Sequence, residues 1–291
     1  MVRGPRELKA KPASSRGIIV AGRGNLGRSL ARALTAAGQP TRLVRGHGVE
    51  DAIGKVGPNA VVFLAVPDGA VPALGGRLAK APDPISFVHL SGALGLDALD
   101  ALRPLHAVGS FHPLQSFPAP RPPDAFRGIT VAIDASTAPL MRRLRELARS
   151  LGAKPRQVGD ADRALYHAAA VFASNYLDVM VAEAVGLLKD IGWTEAESVA
   201  ALMPLIEGAV TNIRRHGPVR ALTGPIRRGD VQTVTRHLGA LERGGGADEY
   251  RMLATIALEI AKEAGLDPVA AGRMRRALTQ KRAATQRRRR A

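Results

Sequence analysis

The sequence predicts an α/β protein built from a doubly wound, mostly parallel β-sheet followed by an all-helical region. Short apolar runs rich in β-branched residues alternate with helical segments over residues 17–158. A glycine-rich turn joins the first apolar run to the first helical segment. From Asp160 onward the pattern is helical and contains no convincing strand, which predicts a change of architecture near residue 158.

The first region contains six candidate strands, each a short apolar run. They are residues 17–21, 41–44, 60–66, 85–90, 107–111 and 128–133. The helix after the first strand should end at Gly38 and Pro40, which favour helix termination. The proline-rich residues 117–123 are expected to form a surface loop.

The second region contains five candidate helices, separated by glycine- and proline-containing breaks. They are residues 160–190, 195–214, 230–243, 247–265 and 268–284. The predicted organisation is therefore a basic tail (1–16), the α/β domain (17–158), the helical domain (159–284) and a second basic tail (285–291).

The net charge of +17 lies mostly near the ends of the chain. Residues 1–16 carry five basic side chains and one acid, and residues 273–291 carry nine basic side chains and no acid. With only 3% aromatic residues, stacking of single-stranded bases is poorly supported, so specific nucleic-acid binding is not expected. The absence of cysteine excludes disulfides, thiolate metal sites and cysteine nucleophiles. No metal-ligand spacing is evident either.

No export signal is recognisable after the basic N-terminus. The most apolar long stretch, residues 165–191, is interrupted by polar or charged side chains, namely His167, Asn175, Asp178, Glu183 and Lys189. A membrane span tolerates few of these, so the stretch is interpreted as a buried helix of a soluble, cytoplasmic protein.

The glycine-rich turn has the pattern GxGxxG in the context that a dinucleotide site requires: it follows a buried strand and opens a helix. Its residues are Gly22, Arg23, Gly24, Asn25, Leu26 and Gly27. The first glycine permits the tight turn, the second lets the backbone approach a pyrophosphate, and the third allows close helix–strand packing. The alternative is a glycine-rich turn without a ligand.

The end of the second candidate strand favours NADP(H) over NAD(H). An acid there would bind the ribose 2′-hydroxyl, but the chain has Arg45, whose guanidinium can clamp a 2′-phosphate. The alternative is an ordinary surface arginine. The backbone of Ala65, Val66 and Pro67 should contact the cofactor, whereas Asp68 is interpreted as a helix cap.

Taken together, several motifs resemble a family of bacterial Rossmann-like proteins. They are GRGNLG, FLAVPD, HLSGA, SFHPLQSF, YHAAAVFASN and LTGPIRRGD, between residues 17 and about 278. The family's helical C-terminal domain has long had no assigned function, and its members resemble deazaflavin-dependent NADP reductases. More distant similarity runs to pyrroline-5-carboxylate reductase and to prephenate, 6-phosphogluconate and β-hydroxyacid dehydrogenases. One branch is thought to act as an alternative ketopantoate reductase.

Two segments at the ends of candidate strands are placed to bind a substrate. By resemblance to the hydroxyacid dehydrogenases, Ser91 and the backbone of Gly92 form a substrate-binding turn; a simple strand-to-helix turn is the alternative. The segment 110–116 leaves its strand as a His-Pro turn similar to that of prephenate dehydrogenases. There His112 is a candidate catalytic residue, and Gln115 and Ser116 are candidate hydrogen-bonding partners.

The first helix of the second region supplies further candidates. His167 and Asn175 fall near one helical face beside small residues. The superfamily's catalytic lysine is missing from this face, so His167 is nominated as proton donor and Asn175 as the residue that orients the carbonyl. Both could instead be buried polar residues satisfied by their neighbours. Thr223, in a loop between helices, could close over an acidic substrate.

The resulting hypothesis is an NADP(H)-dependent oxidoreductase that reduces a small, anionic 2-oxo or imino compound. A catalytically idle NADP-binding sensor or scaffold, and a nucleic-acid binder acting through its basic tails, are the alternatives. The helix over residues 247–265 has more apolar residues than one buried face requires, among them Leu253, Ile256, Leu258 and Ile260. This excess predicts a homodimer formed through the helical domain.

Overall fold

A computed structural model describes residues 17–81, 84–103 and 105–280. Both predicted basic tails, 1–16 and 285–291, lie outside the described residues. The chain forms two compact units, Met1–Tyr176 and Leu177–Ala291. The last strand ends at Gln157, whereas the division between the two compact units comes later.

One seven-stranded sheet forms the centre of the first unit. Its strands β1 to β7 are Ile18–Ala21, Thr41–Val44, Val61–Leu64, Ser86–His89, Ala107–Pro113, Thr130–Ala135 and Lys154–Gln157. Their spatial order is β2-β1-β3-β4-β5-β6-β7. Neighbouring strands are parallel except for β5 and β6. The prediction of a doubly wound, mostly parallel sheet is confirmed, and its order reverses between β1 and β3, where ligands bind in such folds.

Helices cover both faces of this sheet. In chain order, α1 to α5 are Asn25–Ala36, Val49–Ile53, Val71–Leu78, Ala138–Ser150 and Arg163–Ala173. Because side chains alternate along a strand, Ile18 and Val20 of β1 pack on the face covered by α1 and α4, while Ile19 packs on the face covered by α2 and α3. Two apolar cores therefore hold the strand ends in fixed positions.

Two features of the sheet differ from the sequence prediction. Strand β7 was not predicted, because Lys154–Gln157 is a polar edge strand containing Pro155, which only an edge tolerates. The expected turn at His112 is also wrong. Strand β5 continues through Pro113 in antiparallel pairing with β6, and the loop begins only at Leu114.

The remaining described residues are mainly helical, as predicted, although Gly224–Arg228 forms a short helix where a loop was expected. Helices α6 to α11 are Asn175–Asp190, Glu195–Ala221, Gly224–Arg228, Val231–Gly244, Ala247–Glu263 and Pro268–Thr279. Helix α7 is kinked at Gly217, whose φ of +77° is not helical. The second unit has its own apolar core, made chiefly by α9, α10 and α11. Leu258 lies in this core, so it is not available for the predicted dimer surface.

The predicted buried helix over residues 160–190 is wrong in two respects. The run breaks at Ser174 (φ −125°, ψ −73°) into α5 and α6. Its large apolar side chains are also exposed, Leu165 by 77% and Phe172 by 65%. Among the described residues, Asp160–Asp190 is the one helical run whose length and mean hydropathy of 1.4 would suit a membrane span. That match rests on length and composition alone, and the break at Ser174 interrupts it.

Candidate functional site

The three glycines of the loop after β1 have different structural roles. Gly22 has a φ of +133°, and a Cβ there would lie 2.0 Å from the carbonyl oxygen of Ala65. A Cβ at Gly27 would lie 2.2 Å from the carbonyl oxygen of Gly22. A Cβ at Gly24 would meet no heavy atom of the described residues within 4 Å. Gly22 and Gly27 therefore serve packing, whereas Gly24 leaves open space beside the backbone.

This open space lies at the N-terminus of α1, where free backbone N–H groups favour an anion. No acidic residue occupies the first turn of α1, so no side chain competes for those groups. The side chain of Asn25 points elsewhere: its amide donates hydrogen bonds to the carbonyl oxygens of Phe117 (3.1 Å) and Pro118 (2.8 Å). Leu26 packs against the apolar core. The loop thus fits the phosphates of a dinucleotide.

Two arginines flank this loop. Arg45 directly follows β2, and Arg23 lies in the loop itself; both are exposed. Within the described part of the chain, neither is paired with a carboxylate. Glu50, the first acid after β2, is paired with Arg77. Two free guanidinium groups are therefore available for an anion at the end of β2.

The turns after β3 and β4 are joined by one hydrogen bond. The hydroxyl of Ser91 donates to Oδ2 of Asp68 over 2.7 Å. The interpretation of Asp68 as a helix cap is wrong, because Pro67 and Ala70 occupy the capping positions and no side-chain cap bond forms. Ala65, at the start of the same turn, places its carbonyl over Gly22. The glycine loop is thereby connected to the turn at Ser91.

Two histidine rings converge on Gly92. A Cβ at Gly92 would lie 2.7 Å from Cδ2 of His167 and 2.8 Å from both Cε1 and Nε2 of His112. The two ring centroids are 6.1 Å apart. On its other side, Nδ1 of His112 is hydrogen-bonded to the hydroxyl of Tyr166 over 2.8 Å. The structure thus brings together His112 from β5, His167 from α5 and the turn after β4.

A buried arginine lies beside this cluster. Arg163, the first residue of α5, is 1% exposed and donates to the carbonyl oxygens of Ser91 (3.4 Å) and Val158 (3.3 Å) and to the hydroxyl of Ser110. Burial lowers its pKa, while Asp134 and Asp160 act in the opposite direction. A guanidinium nevertheless stays protonated in proteins, so Arg163 is a fixed positive charge at the site.

Burial of their rings and the positive charge of Arg163 keep His112 and His89 neutral near pH 7. Burial lowers the pKa of His112 to about 4, with His167 and Arg163 acting in the same direction and Asp68 against it. Burial also lowers the pKa of His89 to about 4, again assisted by Arg163. Neither ring nitrogen of His89 has a well-formed hydrogen bond among the described residues. Burial raises the pKa of Tyr166 to about 12.

Four sequence candidates lie outside this cluster. Gln115 and Ser116 are exposed in the loop after β5, where the Gln115 amide oxygen accepts from the backbone of Ser116. Asn175 is exposed and starts α6 beyond the break at Ser174. Thr223, in the second unit, precedes the short helix α8.

Sequence reasoning gave no role to Arg163 or Tyr166, and it gave Asp68 only the role of a helix cap. The arginine at the start of the apolar segment RALYHAAAVFA is an available signal, since an arginine is rarely buried unless its charge has partners. Among the described residues, no group of three or more His, Asp or Glu could hold a metal ion.

Comparison with known families matches part of this chain. Residues 129–257 match the profile of a domain of unknown function, DUF2520. A search of the curated proteins found no match. The matched segment includes β6, β7 and most of the helical region, but not the glycine loop.

Solved structures match nearly the whole chain. BF3122 from Bacteroides fragilis, a candidate NADP oxidoreductase, is 24% identical with a TM-score of 0.68, over 84% of this chain and 98% of its own. Protein TM1727 from Thermotoga maritima is 21% identical with a TM-score of 0.67, over 85% and 99%. Pyrroline carboxylate reductase from Plasmodium falciparum, solved with NADP bound, is 12% identical with a TM-score of 0.54, over 89% and 99%. These similarities confirm the fold inferred from the sequence.

Proposed function

We propose that the protein is an NADP(H)-dependent oxidoreductase that reduces a small, anionic 2-oxo or imino compound, of which ketopantoate is one example. The observation that carries the proposal is a continuous set of contacts between the segments that follow the carboxyl ends of β1, β3 and β4. Gly22 packs on Ala65, the turn after Ala65 holds Ser91 through Asp68, and His112 meets the adjacent Gly92. A glycine loop suited to phosphates and a cluster of polar side chains therefore adjoin, as reduction by a dinucleotide requires.

The residues around the glycine loop divide the binding of the dinucleotide among them. The N–H groups at Gly24 and the start of α1 hold the pyrophosphate, and Arg45 with Arg23 holds the 2′-phosphate. The backbone of Ala65, Val66 and Pro67 lines the nicotinamide side. The bound cofactor supplies a hydride. Similarity to BF3122 and to the NADP-bound reductase from Plasmodium supports this choice of cofactor.

The residues around Gly92 position the substrate. The hydroxyl of Ser91 is fully engaged by Asp68 and by the N–H groups of Ala93 and Leu94, so Ser91 acts by fixing the turn whose backbone at Gly92 meets the substrate. His112 and His167 present their rings to the carbonyl or imine. In this proposal Asn175 orients that group, and Gln115 and Ser116 contact the remainder of the substrate.

Thermal unfolding with NADPH, with NADH and with neither is the first test. A ligand that binds only the folded protein raises the melting temperature according to its affinity, so NADPH should give the larger shift. NADPH absorbance is then followed with a panel of 2-oxo acids and cyclic imines. A shift without turnover on any compound would favour an idle sensor, and the absence of any shift would refute the cofactor site.

We also propose that the protein is a cytoplasmic homodimer paired through its helical region. The exposed apolar residues of α6, α7 and α10 support this, among them Leu187 (45%), Leu205 (70%) and Ile256 (52%). Apolar surfaces of this extent usually mark an interface. Light scattering should give twice the chain mass of 30.6 kDa. A monomer that floats with lipid vesicles would instead make this a membrane-binding surface.

A further inference from the structure

We propose that Tyr166 is the proton source for the reduction and that its proton reaches the substrate through the imidazole of His112. This inference rests on the proposed reductase function and assigns the proton to Tyr166 in place of His167. His167 then helps to orient the carbonyl group.

The geometry of the pair supports a relay. The Tyr166 hydroxyl lies 2.8 Å from Nδ1 of His112, and the two rings are perpendicular, with centroids 5.6 Å apart. The opposite edge of the imidazole, with Nε2, lies against Gly92 in the substrate-binding turn. One ring nitrogen thus meets the tyrosine and the other meets the turn.

Both partners sit on rigid supports. His112 is paired with Ala132 in the antiparallel part of the sheet. Tyr166 lies on the first turn of α5, which Arg163 anchors through three hydrogen bonds to Ser91, Ser110 and Val158. Fixed positions of this kind favour proton transfer, which depends on donor and acceptor staying within hydrogen-bond reach.

Burial and the surrounding charges determine the protonation state of the pair. Burial is the main cause that lowers the pKa of His112 to about 4; His167, Arg163 and His89 act in the same direction, and Asp68 acts against them. The pKa of Tyr166 is about 12. Both groups are therefore neutral near pH 7. A neutral imidazole that accepts the tyrosine O–H at Nδ1 carries its own proton on Nε2.

The proton steps then balance. Two electrons arrive with the hydride at the carbonyl carbon, the dinucleotide is left oxidised, and the C=O π pair moves to oxygen. That oxygen takes the proton from Nε2 of His112, while Nδ1 takes the proton of the Tyr166 hydroxyl. The imidazole stays neutral with its proton on Nδ1, and the tyrosinate, which the positive charge of Arg163 favours, regains a proton from water.

Tyr166→Phe tests the relay by rate. We expect kcat to fall about a hundredfold or more, the usual contribution of a proton donor, with KM and the NADPH-induced thermal shift little changed. The matched control is Tyr250→Phe, because Tyr250 forms a pair of the same geometry with His237 (2.9 Å, rings at 89°) in the second unit. A Tyr166→Phe enzyme as fast as the wild type would overturn the relay.

The tautomer of His112 gives a second readout that needs no turnover. Nitrogen-15 NMR of the protein without cofactor should show His112 protonated on Nε2 and unprotonated on Nδ1 near pH 7. A proton on Nδ1 would overturn the proposed direction of transfer, whatever the rates are. Absence of turnover by the wild-type protein on every carbonyl and imine tried would instead refute the reductase function itself.

Discussion

Ser91 binds Asp68 across two turns that follow different strands. Its hydroxyl donates to Oδ2 of Asp68 over 2.7 Å and accepts the N–H groups of Ala93 (3.1 Å) and Leu94 (3.0 Å). These hydrogen bonds hold the turn after β4 in a fixed position relative to the turn after β3. The position of Gly92, between these contacts, depends on this hydroxyl.

Ser91→Ala should therefore destabilise the first unit and loosen the pocket. Ser91 is buried, and its loss leaves two N–H groups and a carboxylate without a partner, so we expect the free energy of unfolding to fall by about 1–3 kcal/mol. Urea denaturation measures this change. The control is Ser150→Ala, which removes a single bond to the carbonyl of Leu147 at an exposed helix end. Equal effects of the two variants would contradict the role of Ser91.

Alanine at Gly27 should lower stability, whereas alanine at Gly24 should prevent NADPH binding and leave stability unchanged. At Gly27 the new methyl group meets the backbone oxygen of Gly22, so we expect a loss of about 1–3 kcal/mol in unfolding free energy. At Gly24 the methyl group meets no atom of the described residues within 4 Å, so stability should change little. It would occupy the space of the pyrophosphate, and the NADPH-induced thermal shift should disappear. A Gly24→Ala protein that keeps its full shift would exclude phosphate binding at this loop.

Arg45→Ala should reduce the preference for NADPH over NADH. Hydrogen bonds to a charged group contribute about 1.5–3 kcal/mol, which predicts a loss of about ten- to a hundredfold in NADPH affinity and little change for NADH. Titration calorimetry measures both constants. Arg42→Ala is the control, since Arg42 is an equally exposed arginine within β2. If both variants weaken NADPH binding equally, the loss comes from the lower net positive charge and not from a contact made by Arg45.

The sequence predicts what depends on neighbouring residues and misses what depends on distant ones. The loop from Gly22 to Gly27 was predictable because its glycines, its strand and its helix are contiguous. The bonds between Asp68 and Ser91 and between His112 and Tyr166 join residues 23 and 54 positions apart, so no local pattern indicates them. The break at Ser174 was missed for another reason: its flanking residues have helical periodicity on both sides, and the break lies in the backbone angles.

The last prediction concerns acid stability. His89 and His112 have a pKa of about 4 in the folded protein against 6.5 for an ordinary histidine, so between these values the unfolded chain binds more protons. The stability that these two histidines contribute should therefore be fully present above pH 6.5. As the pH drops toward 4, the free energy of unfolding should fall by up to about 1.4 kcal/mol per pH unit for each histidine.

Urea denaturation between pH 5 and 7 isolates this effect, because carboxylates protonate mainly below this range. His89→Gln removes one of these groups and should make the slope shallower, while His106, whose pKa burial also lowers, contributes equally in both proteins. An unchanged urea dependence of the unfolding free energy (the m value) is the control, since it shows that both proteins expose the same surface on unfolding. A wild-type stability that stays level from pH 7 to pH 5 would mean that both rings accept protons as readily in the folded protein as in the unfolded chain. That result would refute the lowered pKa values of His89 and His112.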